Sequence, residues 1–504
     1  MLNLYEYLAN SAVRLPDKTA FADDSRSFSF AELKSCADSV GTAVSEHCRA
    51  RDMVIVLADR SAVTVAGMMG VLAAGCCYVP LDPRMPEDRM NDILARVKPA
   101  LLLYTEHDRK IAAKYGECVP LLSVEEAEMS AAHEELLMSR REKVLDIDPA
   151  YMIFTSGSTG VPKGIPVSHR SVMDFTDWMS DYCGIDETWT LGNQAPFFFD
   201  LSVKDLYQTL AHGCTTYVLP KKLFSFPTLL VDYLNERNIT GLIWATSAFR
   251  LTAESGIFEK KNLPGVKHVI LGGEALQAKH LNLWKKAAPD CEFINLYGPT
   301  EVTVDCTAYK IDRDFADGEP VPIGKACRNM EIFLLDEDLK PVSDGEPGEI
   351  CVRGIGLALG YYGDPDKTAA AFVQNPMNTA YPDRLYRTGD IAKVGEDGNL
   401  YYLSRRDGQI KHMGYRIELG EIETALNALS GVRDCACFFD SDDDLIVACL
   451  LTELTEAEVT AGVKNRLPKY MMPNVWRMYK RFPATANGKI DRPGLKEEYF
   501  REKN

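Results

Sequence analysis

The stretch that most constrains this chain is Ala150 to Arg170, AYMIFTSGSTGVPKGIPVSHR. Tyr151 to Phe154 are apolar and read as a short buried strand. Thr155 to Gly164 then bring together glycines, serine and threonine hydroxyls, one proline and Lys163. Such a composition suits a phosphate clasp: glycines let backbone N–H groups approach an oxyanion, hydroxyls add donors, and the lysine supplies a mobile positive charge. It is not a Walker A loop, because Pro162 precedes Lys163 and Gly164 follows it, so no Ser or Thr stands beside the lysine to hold magnesium. Taken alone, a glycine-rich segment also fits a flexible surface loop. Here it leaves a strand and enters a helical pattern marked by Ser168, Val172, Phe175 and Met179, which favours the clasp.

TSGSTGVPKG resembles the signature loop of the adenylate-forming superfamily, which comprises acyl-CoA synthetases, luciferases and the adenylation domains of nonribosomal peptide synthetases. These enzymes activate a carboxylate as an acyl-AMP. The resemblance implies an α/β fold: a large N-terminal domain of several subdomains over 1–406, binding ATP and substrate, and a small mobile α+β domain over 407–504. It also implies that Ser156, Gly157, Ser158, Thr159 and Gly160 cradle phosphate, with Thr155 and Lys163 acting on the reacting phosphate.

The length of 504 residues independently calls for two to three structural units. A hydrophobic share of 46% with 26% charged residues fits a soluble enzyme, and a net charge of −17 argues against nucleic acid as a partner. One phosphorylated ligand needs only a local basic patch. The fourteen cysteines show no CxxC zinc spacing; Cys76/Cys77 and Cys435/Cys437 read as core thiols in a reducing cytoplasm. The N-terminus MLNLYEYLAN lacks a basic region and is no secretory signal. Val65 to Leu81 contains Gly67, Gly70, Gly75 and Pro80 and reads as a buried helix followed by a strand, not a membrane span. The expectation is a cytoplasmic monomer or weak dimer.

Residues 1 to about 145 alternate helical and strand patterns, and Phe28–Leu33 and Gly75–Pro83 resemble two packing motifs of adenylation domains. His169 has the titration range of a general base, but it stands at a helix start where such enzymes do not transfer protons. Asn193 to Tyr207, NQAPFFFDLSVKDLY, sets Asp200 behind three phenylalanines. A carboxylate there needs a cation, either a neighbouring Lys or Arg, Lys204 included, or the ammonium of an amino acid. The stretch resembles the motif in which an aspartate grips the substrate amino group.

Gly241–Arg250 and Val269–Leu276 resemble two further pocket walls. In the second, Gly272 and Gly273 leave room for a flat ring, and Glu274 and Ala275 follow on the nucleotide side. In NLYGPTEVT, Asn295 and Gly298 frame the turn, Tyr297 offers adenine a stacking face, Thr300 a phosphate donor, and Glu301 a carboxylate for Mg²⁺. Gly345–Gly363 reads as a strand and glycine-punctuated loops. In YRTGD, Asp390 would accept from both ribose hydroxyls; Arg405 would add a cation, and Asp407 would be the hinge. Asp397-Gly398 signals a hairpin. Beyond it come a helix over 420–429, strands over 435–439 and 445–451, and a capping box Thr455/Glu458. Lys489, on an Asn487-Gly488 turn, reads alone as surface, and by resemblance as the catalytic lysine bridging carboxylate and α-phosphate.

By the same register, Asp200, Leu201, Lys204, Trp244, Ile270, Gly272, Leu296, Val304 and Asp305 would line the amino-acid pocket. The sequence ends soon after the lysine motif, so the phosphopantetheine thiol would come from a carrier protein acting in trans. The Asn193–Tyr207 stretch is close to that of D-alanine:carrier-protein ligases of teichoic acid D-alanylation. Those enzymes, however, carry a cysteine at the position of Gly272 and usually an uncharged residue at that of Lys204. D-alanine, alanine or serine is the expected substrate, with ATP and Mg²⁺ as cofactors. An acyl-CoA synthetase would share every motif except a use for Asp200, and a non-catalytic nucleotide-binding module would share the clasp. The basic residues Arg466, Lys469, Arg477, Lys480, Arg481 and Arg492 form either a solvated face or a dock for an acidic carrier.

Overall fold

The Val65–Leu81 run forms the wholly buried helix Ala62–Ala73 and the strand Cys77–Leu81. Glycine explains how that helix packs. A Cβ on Gly70 would stand 2.4 Å from Val40 Cγ1, and one on Gly41 would stand 2.9 Å from Ala73 Cβ. These two positions let helix Phe30–His47 lie against Ala62–Ala73 almost backbone to backbone. The longer helix is started by a reciprocal cap in which Ser29 and Glu32 satisfy each other's backbone N–H groups.

The structure, a computed structural model, describes residues 3–157, 162–343, 345–406, 408–483 and 490–503. Two units emerge. The larger comprises Met1–Pro83, Val97–Phe154 and Gly164–Arg406; the smaller comprises Arg84–Arg96, Thr155–Lys163 and Asp407–Asn504. Ser158, Thr159, Gly160, Asp407 and Lys489 lie outside the described residues.

Among the described residues the larger unit contains three sheets. One has six strands, in the order Leu121–Ser123, Leu101–Tyr104, Met53–Leu57, Cys77–Leu81, Pro149–Thr155, Lys163–Ser168. The second has nine, centred on the parallel strands Thr190–Asn193, Gly241–Ala245, His268–Gly272 and Glu292–Tyr297. One apolar cluster takes residues from both sheets and from helices Tyr5–Arg14, Phe30–His47, Ala62–Ala73, His169–Cys183 and Ser202–His212. This is the layered α/β arrangement expected for strands buried on both faces. A third, five-stranded antiparallel sheet includes Gly348–Gly354, Arg384–Val394 and Leu400–Arg405.

The smaller unit is α+β. Strands Val432–Asp440, Leu445–Thr452 and Val475–Tyr479 form a sheet, and Gln409–His412 pairs with Tyr415–Glu418. Helix Leu419–Asn427 buries Ile422 and Leu426 in this unit's core, and the Thr455/Glu458 capping box opens helix Glu456–Val463. All fourteen cysteines are free thiols, Cys76, Cys77, Cys435 and Cys437 among the buried ones. No described helix is long and apolar enough to cross a membrane.

His169 is structural. Its Nδ1 accepts the Leu4 backbone N–H at 3.1 Å, tying the chain start to helix His169–Cys183. Burial pushes its pKa down to about 4, against the opposing pull of Asp148 and Asp146. The unfolded chain takes this proton near pH 6.5 and the folded chain only near 4. Stability is therefore fully present above pH 6.5 and falls as pH drops toward 4, by about 3 kcal/mol in total. His169→Asn keeps an acceptor and removes the titration, so its unfolding midpoint should fall less steeply between pH 6.5 and 4.5 than the parent's. Equal slopes in urea unfolding would contradict this.

Candidate functional site

Parallel strands put their carboxyl ends side by side, and here they do so in register: Ala245 pairs with Gly272, and Leu271 with Asn295. The alternation of side chains decides what faces the site. Ile243, Ile270, Ile294 and Leu296 pack in one apolar cluster, whereas Leu242, Trp244, Val269, Leu271 and Phe293 pack in another on the opposite face. Trp244 is therefore not beside Ile270 and Gly272. Its indole N–H donates to the Gly192 carbonyl at 2.8 Å, and its ring meets Trp284 edge-on. The sequence register groups Trp244 with Ile270 and Gly272, but on the strand Trp244 takes the opposite face and Ala245, which pairs with Gly272, takes theirs.

At Gly272 several expected residues converge. A Cβ there would stand 3.2 Å from Lys204 Nζ, 3.3 Å from Asp305 Oδ1 and 3.4 Å from the Leu296 carbonyl. Lys204 and Asp305 form an ion pair at 2.7 Å with side chains 0% and 2% exposed. Asp305 reaches this position through an unusual turn. Thr303 and Val304 both take positive φ, 60° and 73°, a region that β-branched side chains rarely enter. The turn folds back so closely on Gly298 that a Cβ there would stand 2.4 Å from the Asp305 Cα. Such stored strain marks functional turns. Asp200 and Leu201 lie just ahead of helix Ser202–His212, where the Asp200 carbonyl accepts the Val203 N–H. Asp200 is half-buried, not fully buried. Its charge reaches Tyr151, whose phenol is pushed well above its ordinary pKa by burial first, then by Tyr78 and Asp200. Among the described residues the buried Tyr151 hydroxyl has no hydrogen-bond partner.

A second group lies around Asp390. Oδ2 accepts the Tyr297 hydroxyl at 2.6 Å and Oδ1 accepts Arg405 Nη1 at 2.8 Å, which fixes the carboxylate from both sides. A carboxylate has about four acceptor sites, so lone pairs remain for a ligand. Asn295 donates to the Pro322 carbonyl at 2.8 Å. Thr300 and the fully buried Glu301 form a short turn, and Glu301 Oε1 accepts the Tyr361 hydroxyl at 2.9 Å. Tyr361, in the Gly345–Gly363 stretch, carries no motif role in the sequence. Gly273 has φ 100° and open space where a side chain would be; Glu274 is half-buried and Ala275 exposed beside it.

Within the smaller unit the described part of the clasp is well anchored. Ser156 donates to the Arg416 carbonyl at 2.7 Å and accepts the Glu418 N–H at 3.2 Å. The Gly157 N–H donates to Glu421 Oε2 at 3.1 Å, and Lys163 Nζ lies 3.3 Å from Glu418 Oε1. Glu421 also pairs with buried Arg89. A phosphate oxygen is the same kind of acceptor as these carboxylates and would compete for the same donors. Among the described residues the buried Thr155 hydroxyl has no hydrogen-bond partner. In the basic cluster, Arg477 pairs with Glu502 and Arg492 with Glu423, so part of its charge is neutralised.

The larger unit thus presents an oriented carboxylate at Asp390 and a buried acid at Glu301, and the smaller unit, taken by itself, a set of anion donors. The AMP-binding enzyme family matches residues 8–362, and the AMP-binding enzyme C-terminal domain matches 421–489. The chain belongs to this family, as an AMP-forming adenylation enzyme of the type found in nonribosomal peptide synthetases. It is 30% identical to zwittermicin A synthase ZmaJ of Bacillus cereus over 96% of this chain and 92% of that protein. It is 33% identical to tyrocidine synthase 3 of Brevibacillus parabrevis over 98% of this chain, but spans only 8% of that protein's length. Among solved structures, IdnL1 is 28% identical with a TM-score of 0.80, covering 95% of this chain and 99% of that one.

Enzymes of this family form adenylates with ATP and Mg²⁺. The residues present fit both. The orphaned Thr155 hydroxyl and the clasp donors suit phosphate oxygens. The buried Glu301 carboxylate is a hard oxygen donor of the kind that holds magnesium together with phosphates and water.

The position of Trp244 has a direct consequence. Trp244→Phe should lower stability by about 1–3 kcal/mol while leaving the ranking of carboxylic substrates unchanged. Ala245→Leu should reorder that ranking. Pyrophosphate exchange across a substrate panel checks both; a ranking that follows residue 244 and ignores 245 would contradict the assignment.

Proposed function

We propose that this enzyme joins the carboxylate of a small amino acid to AMP, releasing pyrophosphate, and then passes the aminoacyl group to the phosphopantetheine thiol of a carrier protein. The observation that carries this reading is the place of Asp200, half-buried just ahead of helix Ser202–His212 in a chain whose family match runs over residues 8–362 and 421–489. Lys204, the cation nearest to it in sequence, is hydrogen-bonded to Asp305. An α-ammonium group is a cation that suits the Asp200 carboxylate. The relatives support the reading: the four-domain nonribosomal peptide synthetase AB3403, whose structure holds AMP and glycine, is 30% identical over 98% of this chain and 36% of that one, with a TM-score of 0.71.

Two anions must meet, so the work of the protein is neutralisation and positioning. Asp390, fixed by Tyr297 and Arg405, accepts from the ribose hydroxyls. Glu301, oriented by Tyr361, would hold Mg²⁺, which would offset phosphate charge. Thr155, Ser156, Gly157 and Lys163 donate to phosphate oxygens. Lys489 neutralises the substrate carboxylate and the α-phosphate as the C–O–P linkage forms and the bond to pyrophosphate breaks. Asp407 is the pivot between the two half-reactions. The pocket is formed by Asp200, Leu201, Lys204, Ala245, Ile270, Gly272, Leu296, Val304 and Asp305. D-alanine remains within the size this reading allows, although Gly272 and Lys204 separate the chain from the D-alanine ligases.

Asp200→Ala should reduce amino-acid-dependent ATP–pyrophosphate exchange by about 10²-fold or more, the usual effect of removing one partner of a desolvated charge pair. Exchange driven by aliphatic or aryl acids, and indifferent to Asp200→Ala, would identify an acyl-CoA synthetase instead. Lys489→Ala should cut adenylate formation by about 10³-fold while sparing thioester formation from supplied adenylate. Equal loss in both steps would contradict the two-state role of Lys489.

A further inference from the structure

Asn193 and Asp205 are both wholly buried, one the last residue of strand Thr190–Asn193 and the other in the first turn of helix Ser202–His212. Asn193 Nδ2 donates to Asp205 Oδ2 at 2.9 Å. Among the described residues the second oxygen of each side chain, Asn193 Oδ1 and Asp205 Oδ1, is buried with no hydrogen-bond partner. Two stranded acceptors in one joined pair are costly while Asp205 is ionised, because neither oxygen carries a donor. A single proton on Asp205 Oδ1 removes the cost from both: a carboxylic acid and a carboxamide close a ring of two hydrogen bonds, N–H to Oδ2 and O–H to the amide oxygen. The cations that would keep the acid ionised are engaged elsewhere. Lys204, its neighbour on the helix, donates to Asp305, and Arg60, just ahead of helix Ala62–Ala73, donates to the Asn193 and Gln194 carbonyls. Burial accordingly pushes the Asp205 carboxyl up to about 7, against the opposing pull of the Asn193 bond, Lys204 and Arg60. The Cys214 thiol, just past the helix, lies within reach of the same carboxyl but is kept protonated by burial and brings no charge.

The place of this pair ties it to the substrate. Helix Ser202–His212 starts directly after Asp200 and Leu201. On the strand side, the next residue holds a second wall of the pocket, for Gln194 Oε1 accepts the Ala245 N–H at 3.2 Å. We propose that Asn193 and Asp205 are positioning residues, a carboxamide and a protonated carboxylic acid whose two-bond ring fixes the start of the helix and so the place of Asp200 against the substrate ammonium. The inference rests on the amino-acid reading above and deepens it. Ionisation of Asp205 removes the donor from both oxygens at once and leaves an uncompensated charge in the joint between helix and strand. The loss falls on the amino acid. ATP, whose ribose is read at Asp390, does not depend on this joint.

Asp205→Asn is the isosteric test: its amide donates to Asn193 Oδ1 and accepts from Asn193 Nδ2, which keeps the ring and removes the titrating proton. ATP–pyrophosphate exchange by the full chain is followed from pH 6 to pH 8.5, using whichever of the proteinogenic amino acids and D-alanine the parent turns over best. The amino-acid KM of parent and variant should agree within about twofold at pH 6, and the parent's should be about tenfold higher at pH 8, where a group titrating near 7 has lost nine-tenths of its proton. KM for ATP should stay the same in both. Urea unfolding gives a readout independent of activity. Between pH 4 and 7 the folded parent holds a proton that its unfolded chain has released, so its stability relative to Asp205→Asn should fall across that window and level off above it. A KM ratio flat with pH, a KM for ATP that shifts equally, or an Asp205→Asn chain that does not fold would overturn the inference while leaving amino-acid activation intact. Exchange with no amino acid at all would overturn the reading on which the inference rests, and the unfolding curves would still decide whether Asp205 is protonated.

Discussion

Burying an ionised carboxylate costs several kcal/mol unless a donor meets it, and the larger unit bears that cost repeatedly. Asp305 is met by the Lys204 ammonium, Asp390 by a phenol and a guanidinium, and Glu301 by the Tyr361 hydroxyl. Each acid is held in orientation by a partner contributed from a different part of the chain. A merely stable core would carry apolar residues at these positions. That it carries satisfied acids, two of them with lone pairs to spare, is the physical reason to place the chemistry here.

The layers around these acids serve to hold their angles. Strands Gly241–Ala245, His268–Gly272 and Glu292–Tyr297 run parallel and in register, so their last residues share one edge. The strained Thr303–Val304 turn brings Asp305 back over Gly298 to meet Lys204. Removing the glycine would block the turn, and straightening the turn would leave Lys204 buried and unpaired. Sheet register, backbone strain and charge pairing are thus one arrangement seen at three scales.

Much of the fold is legible in the sequence because its signals are local. The strand before the clasp, the helix opened by Ser168, the Thr455/Glu458 cap and the strands around 435–451 follow from patterns within a dozen residues. What escapes the sequence is non-local. The motif register misplaces Trp244 because a motif does not state which face of a sheet a residue takes; the pairing of Ala245 with Gly272 decides that. Tyr361 lies sixty positions from Glu301, and nothing in either segment announces their bond. The grouping of 84–96 and 155–163 with the C-terminal segment is likewise invisible along the chain, since it depends on Arg89, Ser156 and Gly157 meeting residues after 410. The sequence register places Asp305 among the pocket residues, but nothing along the chain pairs it with Lys204, a hundred and one positions away.

The central claim is that the oriented acids of the larger unit serve one site, with ribose at Asp390 and the substrate ammonium at Asp200. A crystal structure with a non-hydrolysable seryl-sulfamoyl adenylate tests it most directly. The account predicts ribose hydroxyls on Asp390, the ammonium on Asp200, and the substrate side chain directed toward Gly272. A bound analogue whose ribose misses Asp390, or whose side chain points away from Gly272, would contradict it.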